Sequence, residues 1–332
     1  MGFERLEFPS TQIVFRSVNG VTTVARQRSI LVAWVVYSFV RLGVAVVQAL
    51  TENAACQLGH LLGWLIYLID RRHRKVADEN LRHAFPDMSD AARDRIVRHT
   101  FRHFASMGIE LARLARSIQR NTRCSYAPFA SKPDNHVLAL TSGRPVIMVT
   151  GHFGNWELAS YCFGMFGLRY TAIARPLDNP YLEKWLRSLR ERTGQSFVAK
   201  KGEFDQIVNV LNEGRVLGIV ADQDAGPKGL FVNFLGRPAS THKALALMAL
   251  EHRALLVISG MPRIGWPRSY RGTPAAIVDA ADHVDRADAV RSLTEAWTNA
   301  LEEIIRRHPD QYFWLHRRWK SQPPVRKARK AA

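Results

Sequence analysis

The segment Val149-Thr150-Gly151-His152-Phe153-Gly154-Asn155-Trp156-Glu157 places a histidine in a glycine-rich turn with a carboxylate shortly after it. An imidazole takes up and returns a proton near neutral pH, and a carboxylate on one ring nitrogen fixes the tautomer that leaves the other nitrogen basic. If Asn155 begins a helix, Glu157 lies in its first turn and can reach back to His152. Such a pair needs no serine nucleophile. A substrate hydroxyl is deprotonated directly and attacks an acyl carbonyl. The glycines let backbone approach a substrate closely, nearby amides can stabilise an oxyanion, and Asn155 is a substrate-binding candidate beside them. The His-x4-Glu spacing is weakly specific alone. Its position between a strand and a helix is what strengthens it.

The elements that would position these residues are readable from periodicity. Pro145–Thr150 is a short apolar, β-branched run, expected as a buried strand, and Trp156–Phe166 reads as the helix after the turn. Strands are expected at 170–174, 196–199, 216–221 and 255–261, and helices at 179–193, 204–213, 241–252 and 287–308. Strands alternating with helices predict an α/β fold with a mainly parallel central sheet flanked by helices. Arg175 directly follows a strand and precedes Pro176, so its guanidinium can emerge at the sheet's carboxyl edge and suits a phosphate. Asp222 and Asp224 also follow a strand; they can clamp Arg175, support the histidine or cap a turn.

Upstream, residues 76–119 read as helices broken at Phe85-Pro86-Asp87-Met88-Ser89. Before them, residues 29–50 form an apolar run about as long as the ~20 residues that cross a bilayer. Arg41 near its middle is costly in hydrocarbon. A shorter run covers 58–69, and the basic cluster Asp70-Arg71-Arg72-His73-Arg74-Lys75 follows, as at an anionic cytoplasmic membrane face. The region is read as a membrane anchor, either one tilted spanning helix or two interfacial helices. The run begins too far into the chain, without a convincing cleavage site, for a secretory signal. The expected organisation is an N-terminal segment (1–28), anchoring helices (29–70), a catalytic body (71–322) and a basic, Pro-rich tail (323–332).

Composition narrows the class. Apolar residues make up 47% of the 332, which excludes a disordered chain, and the formal net charge is +18. Such an excess suits an anionic membrane, an acidic or phosphorylated substrate or carrier, or nucleic acid. Aromatics are not interleaved with the basic residues as a stacking platform, so nucleic acid is not expected as a partner. Cys56, Cys124 and Cys162 lie far apart, with no zinc spacing and no disulfide framework. Trp314, His316, Arg317, Arg318 and Trp319 gather aromatic and cationic groups, as in an interfacial patch or, alternatively, a core tryptophan among solvated arginines.

Five blocks in order resemble the lipid A lauroyl/myristoyl acyltransferase family, within the wider His-x4-Asp/Glu glycerolipid acyltransferases. They are Asn80–Pro86, Thr150–Ala159, Ala174–Pro180, Ala221–Gly226 with Phe231–Ala239, and His308–Lys320. The resemblance spans about residues 30–320. It implies an O-acyltransferase that moves a fatty acyl chain, usually from acyl carrier protein (or acyl-CoA), onto a hydroxyl of a phosphorylated glycolipid at the cytoplasmic face of the inner membrane, with no metal or redox cofactor. It further implies His152 as base and Glu157 as its orienter. Arg175, with Arg190 or Arg192, would lie near the acceptor's phosphates, and Asp222 would be an acidic residue needed at the site. Other acceptors, such as a phosphatidylinositol mannoside, an ornithine-type lipid or a lysophospholipid, suit the same chemistry.

Overall fold

A computed structural model describes residues 29–117, 135–199, 204–266 and 269–324. The segment before residue 29, Cys124 and the tail beyond residue 324 lie outside the described residues.

The body is a six-stranded sheet. β1 (Val146–Thr150), β2 (Tyr170–Ala174), β3 (Ser196–Ala199), β4 (Val216–Val220), β7 (Leu255–Gly260) and β10 (Thr273–Asp279) lie in the order β10-β7-β1-β4-β2-β3. Every neighbouring pair is parallel except β10 on β7. A strand covered on both faces has no solvent side to alternate with. The unbroken apolar sequence of β1, buried along nearly its whole length, is the result. From β1 the chain goes outward to β2 and β3, returns to insert β4 beside β1, and then crosses to β7. β1 and β4 are therefore adjacent and end together, and Ala221 N donates to Thr150 O (2.8 Å) just past the ladder. In open α/β sheets the crevice at such carboxyl ends is where ligands bind.

Two hairpins were not expected from the sequence. β5 (Leu230–Phe234) pairs with β6 (Arg237–Thr241), and the short β8 (Arg263–Gly265) with β9 (Ser269–Tyr270). The β5–β6 turn is Leu235-Gly236, both at positive φ. A two-residue turn of this hand normally recruits Asn-Gly, and a leucine there is strained. Burial of Leu235 and an N–H bond from it to Glu302 (2.6 Å) hold it in place.

Five of the helices begin where a capping side chain satisfies their first amides. Ser29, Thr51, Asp70, Asn155 and Asn179 accept at the starts of α1 (Ile30–Ala49), α2 (Glu52–Ile69), α3 (Arg71–Ala84), α6 (Trp156–Met165) and α7 (Pro180–Arg190). α4 (Asp90–Ser117), α5 (Asn135–Thr141), α8 (Phe204–Asn212), α9 (Lys243–Glu251) and α10 (Ala289–Arg307) complete the set.

The apolar N-terminal region is thus two helices. α1, with 20 residues, is long and apolar enough to cross a membrane, a candidate anchor, and only Ala33, Val44 and Val47 on it are buried. Arg41 does not face outward alone: its guanidinium lies 5.7 Å from the Trp185 ring and 6.0 Å from Tyr37. That contact offsets the cost of a charge in the run and fixes which face of α1 meets the protein. α2 buries Ala55, Cys56, Gly59 and Gly63 and leaves Leu61, Trp64, Leu65, Ile66, Leu68 and Ile69 exposed. A Cβ on Gly63 would stand 2.5 Å from Arg102 Cα in α4, and one on Gly59 2.8 Å from Ser106 Cα. These glycines set how near the two helices come.

The tryptophans of the closing segment are core rather than an interfacial patch, and of its two arginines only Arg317 is exposed. Trp314, Arg318 and Trp319 are buried. Asn80 Nδ2 donates to the carbonyls of Trp314 (2.8 Å) and His316 (3.0 Å), tying α3 to this segment.

Gly63→Leu forces α2 away from the α4 backbone. Overpacking of this kind costs about 1–3 kcal/mol, so the thermal unfolding midpoint of the detergent-solubilised protein falls; an unchanged midpoint contradicts the close approach.

Candidate active site

His152 leaves the carboxyl end of β1 and Asp222 leaves that of β4. Their adjacency brings the side chains together. His152 Nδ1 donates to Asp222 Oδ1 (2.6 Å), and the His152 backbone N–H donates to Oδ2 (2.8 Å). The Asp222 side chain is fully buried and that of His152 is 20% exposed. With Nδ1 protonated on the carboxylate, Nε2 is left as the basic nitrogen. Burial works against the imidazolium, but the Asp222 charge and hydrogen bond, with the Glu157 charge behind them, outweigh it and raise the His152 pKa above its ordinary value. Burial would likewise raise Asp222. The His152 charge and hydrogen bonds, with a lesser contribution from His316, hold it well below the usual carboxylate range instead. Gly151 makes room: a Cβ there would stand 3.0 Å from Asp222 Oδ2.

The expectation that Glu157 holds the imidazole is corrected here. Glu157 accepts from Arg190 Nε (2.9 Å) and Nη2, a two-pronged ion pair between α6 and α7. Its position in the first turn of α6 turns it toward α7, while a carboxylate from the next strand has already taken the ring nitrogen. Glu157 stays near enough for its charge to favour the imidazolium.

The turn's amides at residues 152–155 are committed within the protein. Phe153 N donates to Gly151 O (2.7 Å), Gly154 N to Gln311 O (2.9 Å) and Asn155 N to Met261 O (2.9 Å). Phe313 N donates to His152 O (2.9 Å), and His103 Nε2 to Gly154 O (3.0 Å). Burial lowers His103 to about 4, so it makes this bond as a neutral ring. Gly154 is at φ 59°, with the place of a Cβ only 2.3 Å from Met261 O, so no other residue fits. The turn is stitched to α4, β7 and the closing segment, and it is rigid for that reason.

Asn155 is also withdrawn from substrate. Its Oδ1 caps α6 at Leu158 N (2.9 Å) and its Nδ2 donates to the buried Glu110 (3.0 Å), which Arg263 and Tyr270 also bond. Asp224 caps its own turn at Gly226 N (3.1 Å) and takes Ser321 Oγ (3.0 Å). Arg192 is exposed and does not line the cavity described next.

A cavity of about 550 Å³ opens beside His152 and runs along the sheet. His152, Glu157, Arg175 and Arg190 stand on its wall, and Met148, Phe163, Ala172, Ile207, Leu245 and Val257 make its interior apolar. Arg175 is 84% exposed, with only a loose pairing to Asp178 (3.4 Å). Its guanidinium is available to an incoming anion. Cys162 is a buried thiol outside this lining, pushed up to about 12 by burial and so kept protonated. Among the described residues no three His, Cys, Asp or Glu side chains converge as metal ligands.

A histidine held by a buried aspartate lines an apolar cavity that an exposed arginine also lines. Residues 22–321 match the bacterial lipid A biosynthesis acyltransferase family, and the chain belongs to it. It is 29% identical over 285 residues to the lipid A biosynthesis lauroyltransferase of Escherichia coli K12, covering 80% of this chain and 85% of that one. It is 25% identical to the palmitoleoyltransferase of the same organism, over 81% of this chain and 85% of that protein. A phosphatidylinositol mannoside acyltransferase of Mycobacterium tuberculosis is 25% identical over 54% of this chain and 56% of its own. The protein is an acyltransferase, and the α/β sheet read from its strand pattern is the fold observed.

In sequence Asp222 was marked by its place after a strand and by the family resemblance, without its partner being fixed; its pairing with His152 depends on β4 lying beside β1. Asp222→Asn leaves the volume unchanged but removes the charge and permits the wrong tautomer. Turnover should fall by about 10²–10⁴-fold, the scale of losing an oriented base. Glu157→Gln, which frees Arg190 and leaves the Asp222 bond intact, should cost less. A smaller loss for Asp222→Asn than for Glu157→Gln reverses the assignment.

Proposed function

We propose that the protein transfers a fatty acyl chain from a thioester donor, acyl carrier protein or coenzyme A, to a hydroxyl of a phosphorylated lipid A precursor. The observation that carries this reading is the His152–Asp222 pair at the mouth of the apolar cavity. His152 Nε2 takes the proton of the acceptor hydroxyl as its oxygen attacks the thioester carbonyl. The tetrahedral intermediate collapses with cleavage of the carbon–sulfur bond, and the imidazolium returns its proton to the departing thiolate. Asp222 holds the ring through both steps. Glu157 favours the charged imidazole from a distance, and Arg190 keeps that carboxylate in place.

The acyl chain lies in the cavity, whose apolar interior removes it from water at about 0.8 kcal/mol per methylene. Arg175 at the rim takes an acceptor phosphate. The lipid A precursor is favoured over a phosphatidylinositol mannoside because the lipid A relatives match about 80% of the chain and the mycobacterial one about half.

The site works at an anionic inner-membrane surface, with the body on the cytoplasmic side. The exposed apolar faces of α1 and α2 are followed at once by exposed Arg71, Arg72 and Lys75 on α3, a pattern suited to acyl chains beneath acidic headgroups. The excess of positive charge also suits an acidic carrier protein.

Purified protein is assayed with a series of acyl thioesters and lipid A precursor, with products identified by mass spectrometry. His152→Ala should abolish transfer while the protein stays folded, and retained turnover refutes the base. kcat/KM should rise with pH through a value above the usual histidine range, since the base must be unprotonated and its pKa is raised; a limb below that range contradicts the Asp222 pull. Arg175→Ala should raise the KM for the phosphorylated acceptor several-fold and leave the KM for the donor in place. Ala172→Leu, on the cavity wall, should shift the preferred donor to a shorter chain; an unchanged chain preference places the acyl chain elsewhere.

A further inference from the structure

Two polar side chains behind the base make no hydrogen bond of normal geometry. Both ring nitrogens of His316 and the hydroxyl of Tyr312 are shut off from solvent and lack a well-formed hydrogen bond, although Asp222 draws on the Tyr312 hydroxyl and the Phe313 carbonyl on the His316 ring as acceptors. Buried polar atoms left unpaired are rare and costly, and each calls for an explanation. These three gather around one carboxylate. The His316 ring centroid is 6.1 Å from that of His152 and 5.9 Å from that of Tyr312. The Asp222 charge acts on both: it opposes the lowering of His316 by burial, and it joins burial in pushing the Tyr312 phenol well above its usual range. Neither residue lines the cavity, so neither meets substrate.

A carboxylate offers about four lone-pair positions. His152 takes two of those on Asp222, through Nδ1 and its backbone N–H. We propose that Tyr312 and His316 are positioning residues that donate to the lone pairs of Asp222 left over by His152, directly or through one buried water, and so temper its pull on the imidazole. The need for this follows from the base itself. A buried aspartate with a single partner holds the imidazolium too well, and an imidazole that is already protonated cannot accept the acceptor's proton. Each added donor draws charge from the carboxylate and loosens that hold. His316 suits the role because burial lowers its pKa, helped by His152 and Arg318 and opposed by Asp222 and the Phe313 carbonyl. It therefore stays neutral and can donate without adding a second positive charge.

The groups facing this pair are few. Around His152 stand Asp222, Glu157 with its partner Arg190, and His316; around Asp222 stand His152, His316, Tyr312 and Arg318. Arg318 gives its Nη groups to Ser240 O and, at 2.7 Å, to Thr241 Oγ1, and its Nε is also buried without a well-formed bond. Tyr312, whose hydroxyl already acts on Asp222, and the neutral His316 ring are the uncharged donors facing the remaining lone pairs.

This inference rests on His152 being the base, and the test separates the two. The pH dependence of kcat/KM is measured for Tyr312→Phe, His316→Phe, His316→Asn, His316→Gln and Asp222→Asn in the full-length protein. Loss of either donor should move the acid limb upward by about 0.5–1 pH unit, the scale of one hydrogen bond to a charged group. KM should be unchanged, and the double Phe variant should move the limb further. Either Asn or Gln at 316, which restores a donor, should return the limb toward its original position. Unfolding midpoints identify variants that fail to fold, and NMR titration of the His152 ring gives the same shift without depending on turnover. If Asp222→Asn displaces the limb while Tyr312→Phe and His316→Phe leave it in place, the tempering role is wrong and the base stands. If Asp222→Asn also leaves it in place, the base assignment itself fails.

Discussion

The hydrogen bond from His152 to Asp222 is the constraint on which the site depends. A carboxylate with no solvent exposure is unfavourable unless its charge is compensated. The compensation comes from a ring and an amide of one residue on the neighbouring strand. That is possible only because β4 inserts beside β1 and the ladder carries on past both strands, from Ala221 to Thr150. The register of two parallel strands thus fixes the tautomer of an imidazole.

Around this pair the protein trades adaptability for rigidity. The turn that carries His152 gives its amides to β7 and the closing segment, and α4 holds it from below through His103. The buried cluster of Glu110, Asn155, Arg263 and Tyr270 fixes the start of α6 in the same way. Arg318 binds the β5–β6 hairpin to the loop after Asp222, with its guanidinium over the Phe234 ring. Preorganisation of this kind leaves the His152 side chain already ordered before any ligand arrives.

The apolar N-terminal helix is not a separate tether. Asn179, which caps α7, also donates to Ala33 O in α1 (2.8 Å), and Arg41 of α1 lies over Trp185 of α7. α7 in turn supplies Leu186 and Arg190 to the cavity wall. One helix therefore joins the candidate anchor to the apolar cavity and carries the partner of Glu157.

The sequence by itself determined the strand–turn–helix around His152, the parallel character of the sheet and the positions of most of its strands. Apolar periodicity and glycine or proline punctuation are local signals, written into consecutive residues such as Val146–Thr150. It also marked Asp222 and Arg175 as candidates, because each follows a strand, and Arg190 through the family resemblance. Only the tertiary structure decided which carboxylate meets the histidine, that Asn155 and the turn's amides serve the fold, and that Trp314, Arg318 and Trp319 are interior. The β5–β6 hairpin escaped because its Leu235-Gly236 turn and Pro238 lack the usual local signature, and long-range contacts enforce it instead. Partner choice depends on which strands become neighbours, and no spacing along the chain encodes that: Glu157 is near His152 in sequence, whereas Asp222 is near it in the sheet.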